Sequence, residues 1–291
     1  NVGQVNTTGI EITLDATVLK ISEFQWNVVA NFSHNESIVE ELAPGVDEVV
    51  LSSEFNSIQV KAIPGKEFQL IGIPWLRDTL SGRPIINPND GLRQAGASKP
   101  YGSVFPDFTA GLINNFTFKG ITISATVDMK MGGVISSSTV GALWTGGTVA
   151  ETAENREGSY IDLTGVKLSS DGVTYVDNDI PIRSTQDFWR GNQANSVSEM
   201  QIFDADFAKL REIGISYSFP ASMFANSFIK GLQIGVEGRN LALLYSKVPH
   251  VDPEANLYGA ALDNAGRQGF ASERNSIPST RSFGFNVKLK L

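Results

Sequence analysis

Three observations predict an all-β chain of antiparallel, membrane-spanning strands. Several runs alternate strictly between apolar and polar residues. Those runs are long. Short and long connections succeed one another in a regular order. Period-2 alternation puts successive side chains on opposite faces, so each run is a strand with one apolar and one wet face. The runs exceed the 5–6 residues of an average soluble strand and reach the roughly 9–11 that a tilted membrane strand needs. A soluble β-sandwich shows the same alternation, and length favours the barrel.

Taken in order, a strand is predicted over 9–20 from Gly9-Ile-Glu-Ile-Thr-Leu14. The next runs over 24–34, with Phe24, Trp26, Val28, Ala30 and Phe32 on one face, so Trp26 faces lipid. A polar segment rich in Gly and Pro follows to about 106. It holds one extra predicted hairpin, Phe68–Arg77 against Arg83–Asn87, turning at Thr79-Leu-Ser-Gly82. Strands over 107–118 and 120–131 flank Lys119-Gly120, a tight hairpin signal. In the second of these, Ile121, Ile123, Ala125, Val127, Met129 and Met131 share a face. A long segment spans 132–205. Strands over 206–219 and 229–240 flank a short connection containing Pro220. A third long segment, 241–280, leads to Arg281–Leu291. There Phe283, Phe285, Val287, Leu289 and Leu291 oppose Ser282, Gly284, Asn286, Lys288 and Lys290. With that last strand running towards the periplasm, every long segment falls outside and every short turn inside. That asymmetry belongs to outer-membrane barrels. Seven strands, or nine with the extra hairpin, do not close a barrel unaided. Either the missing strands lie upstream of Asn1 or the fold is something else.

Bulk properties narrow the function. A net charge of −8 and an isoelectric point near 4.9 speak against a nucleic-acid partner, which needs a basic stripe. Charged residues are 19% of the chain, below the usual quarter, and glycine is plentiful at 28 residues, a balance that suits barrels and lectin-like sandwiches alike. The absence of cysteine excludes disulfides and thiolate metal sites. No apolar run is long enough for a membrane helix. The two histidines, His34 and His250, sit at a strand end and in a loop, and no nucleophile elbow, zinc-protease motif or phosphate loop occurs. No catalytic residue, metal ligand or cofactor is therefore assigned. Asp171-Gly172 and Asp177-Asn-Asp179 are oxygen-rich enough to consider calcium, yet the EF-hand spacing is missing and a turn-rich hairpin is the simpler reading. Aromatic residues in the outer segments are the binding candidates: Trp144, Trp189, Tyr160 and Tyr258, whose rings can stack on sugars or pack on peptide side chains.

Five segments in register resemble SusC/RagA-type TonB-dependent outer-membrane transporters. Asp206-Phe-Ala-Lys-Leu-Arg-Glu-Ile-Gly-Ile-Ser-Tyr-Ser-Phe-Pro220 is similar to the family's FxRLxxLxLSYxLP signature, and Gly238-Arg-Asn-Leu241 to its GxNL strand end. Val251-Asp-Pro-Glu-Ala-Asn256 resembles the DPE segment, Pro278-Ser-Thr-Arg-Ser-Phe283 the approach to the last strand, and Asn1–Glu11 the NxGxxxNxGxE strand start. There are two departures. The last residue is Leu291 rather than an aromatic, and Lys209 takes the place of the pattern's arginine, leaving the arginine later, at Arg211, which weakens any role for it. The resemblance implies the C-terminal part, residues 1–291, of a 22-stranded barrel in a bacterial outer membrane. It implies import of oligosaccharide or peptide cargo with a SusD-like surface lipoprotein, driven by the TonB complex through the absent plug. The alternative is a soluble or secreted carbohydrate-binding β-sandwich.

Overall fold

The computed structural model describes residues 3–53, 57–194, 197–225, 227–254 and 271–291. In chain order the elements begin with the long strands β1 (Gly3–Ile21) and β2 (Phe24–Leu42). Four short strands follow, β3 (Val49–Ser53), β4 (Gln59–Ala62), β5 (Gln69–Gly72) and β6 (Lys99–Ser103). Next come β7 (Phe108–Phe118), β8 (Ile121–Met131), β9 (Val134–Ser137) and helix α1 (Ser138–Gly146). The hairpin β10 (Val166–Leu168) and β11 (Tyr175–Asp177) precedes helix α2 (Thr185–Ala194). The chain ends with β12 (Ile202–Asp204), β13 (Phe207–Ser218), β14 (Gly231–Ser246), β15 (Ser272–Glu273) and β16 (Ser282–Lys290).

The seven strands read from the alternation form one antiparallel sheet in the order β1-β2-β7-β8-β13-β14-β16. Its registers align the apolar positions of every strand. Phe32 pairs with Ala110, Ala110 with Met129, and Met129 with Ala208; Ile215 pairs with Val236, and Val236 with Phe285. One face is thus apolar from edge to edge, and it is uncovered: Ile12 is 51% exposed, Ile215 47%, Val236 53% and Phe283 78%. A sandwich would bury that face under a second sheet, and none packs on it among the described residues. An apolar face of this extent is what lipid covers. Trp26 lies on it, stacked 5.6 Å from Phe116, with its indole N–H donated to Asn114 at 3.2 Å. The opposite face is polar and knitted by side-chain bonds, among them Thr13 to Asn31 at 3.0 Å and Gln233 to Ser216 at 3.1 Å.

Short turns close one end of the sheet. Lys119 and Gly120 both have positive φ, 49° and 85°, the backbone of the tightest hairpin turns. A side chain at Gly120 would also run into the Ser218 carbonyl, 2.7 Å from its Cβ position, so glycine is required there. All three long segments leave from the other end, as the parity of the strands predicts.

The extra hairpin is corrected. The turn at 79–82 exists, with Gly82 N–H bonded to the Asp78 carbonyl at 2.8 Å and Arg77 bridged to Pro84. However, β5 pairs with β4 and β6 in a separate four-stranded sheet, not with 83–87. In their described residues the long segments are folded rather than open loops. Ile58, Val60, Leu70, Val104 and Val134 make one small core; Trp75, Val197 and Met200 a second; Ile135, Ala205 and Val248 a third. Together these segments build a cap over one end of the sheet.

Candidate functional site

Two groups of side chains stand out, one in the cap and one on the polar face beneath it. In the cap, the Ser137 hydroxyl accepts the Val140 N–H at 3.1 Å and starts α1, as an N-cap serine does. The buried Glu273 carboxylate sits at the same end, accepting from the Ser137 and Thr139 hydroxyls and, at 3.1 Å, from the Ser276 N–H. A negative group there suits the helix dipole. Gly147, at φ 68°, ends the helix in the left-handed region, and the Arg156 guanidinium donates to its carbonyl. The Ser184 hydroxyl starts α2 by accepting the Asp187 N–H at 3.1 Å.

These two helix frames bring Trp144 and Trp189 together, ring centroids 5.6 Å apart at 31°. Both rings rest partly on Trp75, Val197 and Met200. Their remaining surface lines a cleft of about 250 Å³ with Thr145, Thr152, Arg156 and Ser184. Tyr160 joins this aromatic group at one remove, 5.0 Å from Phe188, which in turn is 5.2 Å from Trp189. It does not line the cleft. Tyr258 lies outside the described residues. Three of the four candidate aromatics therefore belong to one cluster, of which two open onto a cleft.

The carboxylates weighed for calcium do not converge. Asp171 accepts from the Val173 and Thr174 amides of its own turn, both at 2.9 Å, Asp177 pairs with Arg83 at 2.6 Å, and Asp179 pairs with Lys167. Among the described residues, no three His, Asp or Glu side chains gather as metal ligands.

On the polar face of the sheet lies a charge cluster that the sequence reading missed. Lys209 is buried. Its ammonium donates to Asp252, to Glu254 at 2.8 Å and to the Ser279 hydroxyl at 3.4 Å. Arg211 donates to Asp128 at 2.7 Å and grips both oxygens of Glu254. A β-bulge between Leu210 and Glu212 makes this possible. Arg211 is the extra residue, unmatched in both neighbouring ladders, so it joins Lys209 on the polar face without displacing Leu210 and Ile213 from the apolar one. The displaced arginine that argued against a role is in fact the centre of the cluster. Its signal was present as two acids two residues apart in the DPE segment, opposite two bases two residues apart in β13.

Burial alone would push the Asp252 carboxyl up. The Lys209 ammonium, the Ser279 hydroxyl and two backbone amides outweigh burial and hold it well below the usual range. Glu254 is likewise lowered against its burial, chiefly by Arg211 and then Lys209. Beside the cluster, the polar face opens into a groove of about 560 Å³ that includes Glu11, Asn31, Thr109, Asp128, Lys130 and Arg211.

No protein-family model matches the chain. Among curated proteins it is similar to three TonB-dependent receptors of Formosa agariphila. It is 21% identical to receptor P3 over 312 residues, covering 100% of this chain and 29% of that protein. It is 23% identical to P26 over 307 residues and 21% to P39 over 337, covering 99% of this chain and 29% and 31% of those proteins. Among solved structures, the RagAB peptide importer in its open-open state superposes with a TM-score of 0.68 at 17% identity, over 99% of this chain and 29% of that one. Its closed-closed state gives 0.66 at 19% identity, over 99% and 30%. The resemblance to SusC/RagA-type transporters thus extends over the whole chain, and the fold is that of part of a RagA barrel. The chain spans only about three tenths of the length of these relatives. The matched proteins are receptors and importers, which bears out the reading that the chain is not an enzyme.

Proposed function

We propose that residues 1–291 form the C-terminal segment of the barrel of a TonB-dependent outer-membrane transporter, whose plug belongs to another part of the full-length protein. The transporter imports oligosaccharides or peptides, with a SusD-like surface lipoprotein as its lid and the TonB complex as its source of energy. The observation that carries this reading is the seven-stranded sheet, apolar on one face and polar on the other, with a folded cap at one end. Such a wall binds and conducts and performs no covalent chemistry. Deleting the full-length gene should abolish uptake of its cargo, and removing TonB should abolish it equally. Uptake that survives loss of TonB would refute the reading.

The cleft between Trp144 and Trp189 is the cap's cargo or lid contact in this reading. Indole offers the largest stacking face of any side chain, and the hydroxyls and guanidinium around it supply hydrogen bonds. In the full-length transporter, Trp144→Ala and Trp189→Ala should each weaken cargo or lipoprotein binding by about 1–3 kcal/mol. Barrel assembly, read by resistance to SDS unfolding, should stay intact. Unchanged affinity for cargo and lipoprotein in the double variant would leave the two rings as packing for the cap.

A further inference from the structure

Four polar-face residues of the sheet share one row. Glu11 on β1 pairs with Ser33 on β2, Ser33 pairs with Thr109 on β7, and Thr109 pairs with Lys130 on β8. Three strand spacings separate the ends of the row, about 14 Å between the Cα atoms of Glu11 and Lys130. The next row along is Thr13, Asn31, Gly111 and Asp128. Gly111 leaves the floor open: a Cβ there would sit 3.4 Å from an Asp128 oxygen. Both rows line the 560 Å³ groove.

The charges at the two ends of the first row are unspent. Asp128 and Glu254, the acids nearest Lys130, are engaged by Arg211 and Lys209. Among the described residues, neither Lys130 nor Glu11 makes an ion pair or a side-chain hydrogen bond. Lys130 is half-buried, and Glu254, whose charge it feels, is already shared by Lys209 and Arg211, so a further anion would stabilise its partly desolvated ammonium. The row therefore offers a cation at one end, an anion at the other and two hydroxyls between.

We infer that the row Glu11–Ser33–Thr109–Lys130 is a subsite for a short peptide with free termini, its carboxylate on Lys130 and its ammonium on Glu11. This rests on the transport reading and gives it a cargo chemistry. The spacing sets the length. At about 3.3–3.6 Å per extended residue, some four residues span the row. The Ser33 and Thr109 hydroxyls face the peptide's backbone groups, so the site reads the two ends and leaves the side chains free. An uncharged saccharide matches neither end.

The test uses the full-length transporter with its lipoprotein and four probes: tetra-alanine with free ends, its C-terminal amide, its N-acetyl form and an uncharged maltotetraose. The free peptide should bind about tenfold or more tightly than either capped form, the loss expected when a charged hydrogen bond is removed. Lys130→Gln should erase the preference for the free carboxylate and leave that for the free amine; Glu11→Gln should do the reverse. Lys130→Arg should keep both. Equal binding of free and capped peptides, maltotetraose binding at least as well as the free peptide, or a preference that survives Lys130→Gln would overturn the subsite. Failure to bind any peptide would overturn it too. The transport reading would stand or fall separately, on whether cargo uptake depends on TonB.

Discussion

Replacing Asp252 with alanine is expected to loosen the cap from the wall at a cost of about 3–5 kcal/mol, because the change leaves a buried lysine without its nearest counter-charge. The Asp252 side chain is 10% exposed and that of Lys209 is 5%. Asp252 also accepts the Ser279 N–H at 3.0 Å, so a single carboxylate joins β13 to both arms of the segment between β14 and β16. Limited proteolysis of the full-length transporter should show faster cleavage within 247–281 at unchanged barrel resistance. The paired change Lys209→Met with Asp252→Leu should recover part of the loss, since it removes both charges together. If the single variant resists protease like the parent, the cluster does not hold the cap. The pH dependence has a definite sign. Asp252 and Glu254 both titrate below their ordinary values when folded. Their contribution is present above the unfolded carboxyl values, near pH 4, and fades as pH falls through the lower folded values. Acid should therefore mimic Asp252→Ala, and the variant itself should respond less to acid.

Val287→Lys should destabilise the barrel by about 2–4 kcal/mol, whereas Asn286→Lys should be nearly neutral. The two positions are adjacent on β16 but belong to opposite faces: Val287 pairs with Ile234 in the apolar band and Asn286 with Gly235 on the polar side. The cost falls on the lipid face because a lysine there loses its hydration. Urea midpoints in lipid or detergent would measure the difference. Cysteines at 287 and 288 give an independent check, since a water-soluble thiol reagent should reach position 288 and spare 287. The opposite labelling pattern would invert the assignment of faces.

The wall was legible in the sequence because its rule is simple. A strand between lipid and a wet lumen must alternate, so residues such as Ile121 to Met131 declare both their structure and their face. The reading fell short where that rule lapses. Above Gly9 and beyond His34 the strands β1 and β2 continue as far as Gly3 and Leu42. There they stand clear of the apolar band, and nothing enforces alternation. The cap was not legible, because its strands are as short as two residues and its contacts are remote in sequence. The Trp75 amide, for example, donates to Glu199 at 2.9 Å. The Trp144–Trp189 pair was found by residue type alone, and only the folding of α1 against α2 brings the rings together. The charge cluster was missed because a bulge breaks the count of two on which every strand was read.

The cap also imposes an order of events on the growing wall. The β1–β2 and β7–β8 hairpins close over turns of two residues each, so they can zip as they appear, at little entropic cost. The cap cannot. The Ser198 hydroxyl holds the Ile73 amide across 125 residues, and the Ser137 hydroxyl meets Glu273 across 136. Glu273 lies just ahead of β16, so its carboxylate reaches the start of α1 only when the last strand is being delivered. A finished cap is in this sense a timestamp, set only once the final staves of this part of the wall are in hand.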